Sequence, residues 1–138
     1  MLRTILRTAL GVVLGLIVGL LIILAVEGVG HTIFPPPPGV NLTDPAQLST
    51  AMAEIPTPAK FAVLLAWFLG TLGGASAGNL VAGRRPWAGR VITLVVLALS
   101  IFNMTSIQHP LWMAVGALAL ILFGGFVADR AFGKPRPR

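Results

Sequence analysis

The sequence predicts an all-α integral membrane protein, a four-transmembrane-helix bundle with one extracytoplasmic loop that carries a short amphipathic helix. Of its 138 residues, 56% are hydrophobic and only 10% are charged. A soluble domain carries about 25% charged residues, so this chain has too little charge to cover a surface in water. Four long apolar runs supply the spans. The length suits one unit, and we treat residues 1–138 as a single membrane domain.

Each apolar run is close to the length, about 20 residues, that a helix needs to cross the hydrocarbon core of a bilayer. A short polar segment ending in Pro110 separates the last two runs, and proline suits the first turn of a new helix. This segment predicts a tight hairpin between two spans, although one long broken helix would give a similar pattern. The predicted spans cover about residues 9–27, 61–82, 91–107 and 111–127.

Basic residues are distributed unevenly along the chain. Of the ten lysines and arginines, only Lys60 lies outside the N-terminal segment, the segment between spans two and three, and the basic C-terminal tail at residues 129–138. The positive-inside rule then places both termini in the cytoplasm, and we expect a bacterial inner membrane. The net charge of +6 is explained by contact with anionic lipids at the cytoplasmic face, so we expect no nucleic-acid partner.

The outer loop, residues 28–60, is the one long polar segment. Four prolines at 35–38 predict an extended polyproline II segment. The stretch DPAQ that follows is typical of a helix start, because Asp44 can cap the helix and Gln47 completes a capping-box pattern. We expect a short amphipathic helix from there to about Ile55, lying on the membrane surface or over the bundle. Its apolar face would consist of Leu48, Met52 and Ile55.

Two of the predicted spans carry small residues at every fourth position. Residues at this spacing form a flat groove along one helix face, and in lipid they let two backbones approach closely. Such rows can pack spans one and two against each other within one chain. They can also form the interface of a homo-oligomer or of a larger membrane complex. The glycines concerned are Gly11, Gly15 and Gly19 in span one, and Gly70, Gly74 and Gly78 in span two.

The outer rim of the predicted bundle holds the polar side chains with the richest chemistry. Glu27 and His31 lie four residues apart and share a face if the first helix continues past the apolar run. The topology brings Lys60 and His109 to the same level, and Asn103 lies near the outer end of span three. These groups predict a ligand, ion or proton site, or an interfacial cluster that ties the loop to the helix ends. Glu27, His31 and His109 are the candidate metal ligands.

Recognisable catalytic patterns are missing from the sequence. It has no phosphate loop, dinucleotide fingerprint, HExxH motif or nucleophile elbow, and it has no cysteine. We therefore assign no catalytic residue and no cofactor, and expect a structural or accessory subunit that packs through its glycine-rich helix faces. The alternative is a small oligomeric transporter or channel with a polar site at its outer rim. A membrane enzyme that uses Glu27, His31 and His109 is a third hypothesis.

Overall fold

The fold is all-helical in the computed structural model, which describes residues 1–134. Four of the helices are long and apolar enough to cross a membrane, and the described residues contain no strand. The predicted all-α class with four candidate spans is confirmed, and the four long apolar helices indicate a membrane protein. Residues 135–138 of the predicted basic tail lie outside the described residues. In chain order the helices are α1 (Leu2–Ile33), α2 (Pro45–Ala51), α3 (Thr57–Val81), α4 (Pro86–Ser106) and α5 (Leu111–Phe132).

Most of the long helices extend beyond the apolar runs that predicted them. Helix α1 continues past residue 27, through two glycines, to Ile33. It stops there because Pro35 disfavours a helical conformation at Phe34, whose N–H donates to the carbonyl of Gly30 at 2.8 Å. Helix α3 begins at Thr57, and Pro58 follows in its first turn. The N–H that proline lacks would have no helical partner at this position. The helix ends therefore follow the prolines more closely than they follow hydropathy.

Helices α1 and α3 run antiparallel and meet through glycine. A Cβ atom built on Gly74 would lie 2.7 Å from the carbonyl oxygen of Gly15, and one built on Gly11 would lie 2.6 Å from that of Gly78. A larger residue at these positions would force the two backbones apart. The two rows therefore face each other within one chain and are covered. The buried glycines of the two rows are Gly11, Gly15, Gly19, Gly70, Gly74 and Gly78.

Helices α4 and α5 pack on α3 and complete the bundle. They are two separate helices, since α4 ends at Ser106 and α5 begins after Pro110. Ile92 of α4 reaches the glycine contact between α1 and α3, and it is fully buried together with Ile121 of α5. Large apolar side chains elsewhere on the long helices, such as Leu21 at 60% exposure, point away from the bundle. This outward apolar surface suits contact with lipid.

The order of the helices gives the bundle two ends. The basic end contains the N-terminus, the turn between α3 and α4, and the end of α5. The loop end contains the end of α1, residues 34–56 with α2, and the turn at residues 107–110.

Candidate functional site

A cavity of about 250 Å³ lies at the loop end, between the ends of the long helices and α2. Glu27 and His31 line it from α1, and Lys60 lines it from α3. Asn103 of α4 and His109 of the following turn complete the polar part of the lining. The five polar residues singled out in the sequence therefore border one space, although no hydrogen bond joins any of them to another in the described chain.

Helix α2 begins as its sequence suggests, with one change in the hydrogen bonding. Asp44 caps the helix, because its Oδ1 accepts from the N–H of Ala46 at 3.0 Å. Gln47 departs from a capping box: its side-chain amide donates to Asp44 Oδ2 at 3.0 Å, and its oxygen accepts from the N–H of Asn41 at 3.0 Å. The N–H of Asp44, which the box would have used, donates to the carbonyl of Asn41 instead. The start of α2 and the preceding turn thus form one hydrogen-bonded unit.

The other end of α2 is shorter than predicted, because the helix stops at Ala51 and not near Ile55. The chain continues as a turn in which the N–H of Ile55 still donates to the carbonyl of Ala51 at 3.1 Å. The apolar face nevertheless forms, and Leu48, Met52 and Ile55 all line the cavity. Ser49 anchors α2 across it, since its hydroxyl accepts from the N–H of Gln108 at 3.0 Å. Helix α2 therefore covers the loop-end cavity.

The carboxylate of Glu27 is held by a residue that the sequence did not mark as its partner. Nε1 of Trp67 donates to Oε1 of Glu27 at 3.3 Å and so joins α3 to α1. Trp67 lies near the outer end of a predicted span, where tryptophan is common at a membrane interface, and this position alone does not reveal a hydrogen-bond partner. In the sequence, the one sign that Trp67 lies near the polar residues of this end is its spacing of seven residues from Lys60. Seven residues make about two turns, so both side chains lie on one face of α3.

Lys60 is buried more deeply than a charged residue usually is. The residue is 9% exposed, although lysine is rarely buried unless it is paired. Within residues 1–134 its ammonium group forms no hydrogen bond, and the ion pair found there is Arg90–Asp129 at the basic end. Because no buried side-chain nitrogen in this part of the chain lacks a hydrogen-bond partner, the ammonium is not sealed from solvent. The loop-end cavity thus contains a positive charge that the described part of the chain leaves without a partner.

The two histidines at the loop end have different surroundings. Nδ1 of His109 lies 2.7 Å from the carbonyl of Ile107, so this ring is engaged within its own turn, while His31 is exposed on α1. No group of three or more His, Asp or Glu side chains in the described residues is close enough together to hold a metal ion. The assignment of Glu27, His31 and His109 as metal ligands therefore stays a prediction.

A second polar cluster lies at the basic end, around a residue that the sequence analysis did not single out. Asp129 accepts from Nδ2 of Asn79 at 3.1 Å and from Nε of Arg90 at 2.9 Å. Asn79 is fully buried, and its Oδ1 accepts from the N–H of Gly89 at 2.7 Å. The cluster joins α3, α4 and α5. In the sequence, the one sign of this role is that Asp129 is a lone carboxylate among basic residues.

Arg84 closes the basic end from the turn between α3 and α4. Its backbone has φ of 60°, in the left-handed region that non-glycine residues rarely adopt. In this conformation its guanidinium donates to the carbonyl of Ala131 at 2.9 Å and to that of Lys134 at 2.8 Å. The final turn of α5 leaves carbonyls without helical partners, and Arg84 supplies donors to this region. The side chains of Asn79, Arg84, Arg90 and Asp129 thus hydrogen-bond to groups of the same end of the bundle.

Comparison of the chain with known protein families, with curated proteins and with solved structures finds no match. Its function is therefore inferred from the chemistry of the two ends of the bundle.

Proposed function

We propose that the protein is a membrane protein that binds a small organic molecule in the loop-end cavity, without catalysing a reaction. The cavity of about 250 Å³ supports this, because apolar residues make up most of its lining while Lys60 and Glu27 contribute charge. Small-molecule sites typically combine an apolar concave surface with a few placed polar groups. The ammonium of Lys60 has no protein partner within residues 1–134 and is not sealed from solvent. It is therefore available to an acidic group of a bound molecule.

The proposal places the loop end on the outer side of a bacterial inner membrane and both termini in the cytoplasm. Support comes from the uneven charge, since basic side chains gather at one end and are typical of the cytoplasmic side of a membrane protein. In this orientation the basic end contacts anionic lipids. The described basic side chains of that end are Arg3, Arg7, Arg84, Arg85, Arg90, Arg130 and Lys134.

Binding at one face fits the bundle better than passage along its centre. The buried hydroxyls between the two ends are engaged with their own helices: Thr71 donates to the carbonyl of Trp67, Thr93 to that of Gly89, and Ser100 to that of Leu97. Hydroxyls that already bond to their own helix are poor hydrogen-bond partners for a polar ligand crossing the bundle. The transporter alternative therefore requires a path between chains of an oligomer.

A structural or accessory subunit is the second candidate. The glycine rows are covered within the chain, so a partner would instead meet the outer face of α1, where Leu10, Ile17 and Leu24 are exposed. Native mass spectrometry of gently solubilised protein separates the candidates. A defined complex with other proteins supports the accessory role, and a closed homo-oligomer supports the transporter.

Trp67 provides the test of ligand binding, because it lines the cavity. We would replace Trp87 and Trp112 by Phe, place the protein in lipid nanodiscs, and follow Trp67 emission during titration with neutral octanamide. A saturable change is expected. Ala59→Phe, which fills the cavity, should weaken binding about tenfold or more, whereas Ala53→Phe, outside the lining, should not. A purely linear response that is equal in both variants would refute the proposal.

A further inference from the structure

Two opposite charges share the loop-end cavity without neutralising each other. Lys60 and Glu27 both line it, yet they form no ion pair. Only one carboxylate oxygen of Glu27 is engaged, by Trp67, and Lys60 has no partner within residues 1–134 although the residue is only 9% exposed. A direct ion pair would give each group an oppositely charged partner. The fold keeps them apart.

Helix geometry explains the separation. The hydrogen bond from Trp67 fixes the carboxylate of Glu27 beside that tryptophan. Trp67 lies about two helical turns from Lys60 on the same face of α3. The two charges therefore border one cavity as separate groups, with no ion pair between them. A molecule lying along this face would meet both.

We infer that the cavity takes a zwitterionic amphiphile: a molecule with an amino group that pairs with Glu27, an acidic group that pairs with Lys60, and an apolar body. The inference rests on the proposed ligand binding and specifies the class of ligand. Met52, Met113 and Leu48 line the same cavity and provide contacts for the apolar body. Methionine adapts its shape to irregular apolar ligands.

Molecules with a single charge satisfy the cavity only in part. A simple anion would pair with Lys60 but would share the cavity with the carboxylate of Glu27. A simple amine would pair with Glu27 but would leave the ammonium of Lys60 without a partner and add a second positive charge to the same cavity. Like charges brought together in a poorly hydrated space are costly, so the site discriminates against both. A zwitterion is the class that pairs with each group.

A matched series of eight-carbon probes tests the class: 2-aminooctanoate, octanoate, octylamine and neutral octanamide, each titrated into the Trp67 reporter protein in nanodiscs. We expect 2-aminooctanoate to bind about tenfold or more tightly than either singly charged probe, because only it forms both pairs. Nanodiscs with and without phosphatidylethanolamine distinguish the natural source. Competition by this lipid assigns a lipid headgroup as the occupant. If the lipid does not compete while 2-aminooctanoate keeps its preference over the singly charged probes, the occupant is a free zwitterion.

Two substitutions separate the two charge contacts. Lys60→Gln should weaken 2-aminooctanoate and octanoate about tenfold or more while sparing octylamine, and Glu27→Gln should weaken 2-aminooctanoate and octylamine while sparing octanoate. Glu54→Gln and Lys134→Gln are the matched controls, because neither residue lines the cavity. Unchanged octanamide affinity in each variant shows that the cavity is intact.

The results also separate this inference from the proposal on which it rests. Octanoate or octylamine binding as tightly as 2-aminooctanoate would overturn the zwitterion inference, as would a variant that weakens all three charged probes equally while octanamide still binds. In those cases saturable octanamide binding would leave the proposed function standing. Failure of every probe, octanamide included, to give a saturable response would overturn both.

Discussion

The two ends of the bundle treat their charged groups in opposite ways. At the basic end, Asp129 accepts hydrogen bonds from both Asn79 and Arg90, and Arg84 donates to two backbone carbonyls. At the loop end, Lys60 and Glu27 line a cavity and form no pair with each other. The basic end is closed by its own polar groups, whereas the loop end leaves charge available beside an apolar space.

The difference indicates what each end contributes. Polar groups that bind one another join helices, so those of the basic end stabilise the bundle. Polar groups kept apart in a covered space reduce stability, and such groups are characteristic of sites that bind a ligand. The glycine contact lies between the two ends and fixes the position of α1 relative to α3.

The largest effect is expected from labelling that assigns the ends to the two sides of the membrane. On this cysteine-free chain, Val40→Cys at the loop end and Trp87→Cys at the basic end introduce single reactive sites. An impermeant thiol reagent applied from outside intact cells should label residue 40 and leave residue 87 unlabelled, as the positive-inside rule requires. Labelling of residue 40 only after the cytoplasmic side is opened would reverse the proposed orientation.

The next largest expected effect is a loss of stability when the glycine contact between α1 and α3 is disrupted. Gly74→Leu should destabilise the bundle by about 3 kcal/mol or more, because its side chain would collide with the backbone of Gly15 and Gly19. Gly28→Leu is the matched control, since a Cβ at Gly28 meets nothing within 4 Å. Thermal unfolding in detergent measures both. Equal stability of the two variants would show that α1 and α3 do not pack closely.

A smaller effect distinguishes the buried and exposed parts of the basic cluster. Asp129→Ala should destabilise by about 2 kcal/mol, because it leaves the amide of the fully buried Asn79 without its acceptor. Arg90→Gln should cost about 1 kcal/mol or less, since the Arg90 side chain is 54% exposed and the pair is screened. Chemical unfolding of both variants provides the measurement. A larger loss for Arg90→Gln would mean that the ion pair, and not the buried amide, holds this end together.

Part of this fold follows directly from sequence. Apolar length predicts the four long helices, and the spacing of glycines such as Gly15 and Gly74 marks the faces that meet. Topology alone predicts that Glu27, Lys60 and His109 lie at one end. These features depend on local pattern and on the alternation of direction, both of which a sequence displays.

Other features depend on contacts that no local pattern records. Asp129 belongs to the basic cluster because α5 lies beside Asn79 of α3, and the sequence shows only a carboxylate in a basic tail. An interfacial tryptophan has the same pattern whether or not it binds a carboxylate, so the role of Trp67 stayed hidden. The end of α2 was misplaced because Met52 and Ile55 suit the apolar face of a helix and of a turn equally well.

The stability and ligand binding of Lys60→Met, measured beside Asp129→Ala, test the contrast between the two ends most directly. Replacing a largely buried lysine whose ammonium has no protein partner within residues 1–134 by an apolar side chain of similar length should raise the stability of the empty protein by about 1 kcal/mol or less and abolish the preference for 2-aminooctanoate. Asp129→Ala should lower stability and leave the affinity of the folded protein for the probe unchanged. If Lys60→Met destabilises the protein as Asp129→Ala does and leaves probe binding intact, Lys60 is a structural residue and the account of the loop end is wrong.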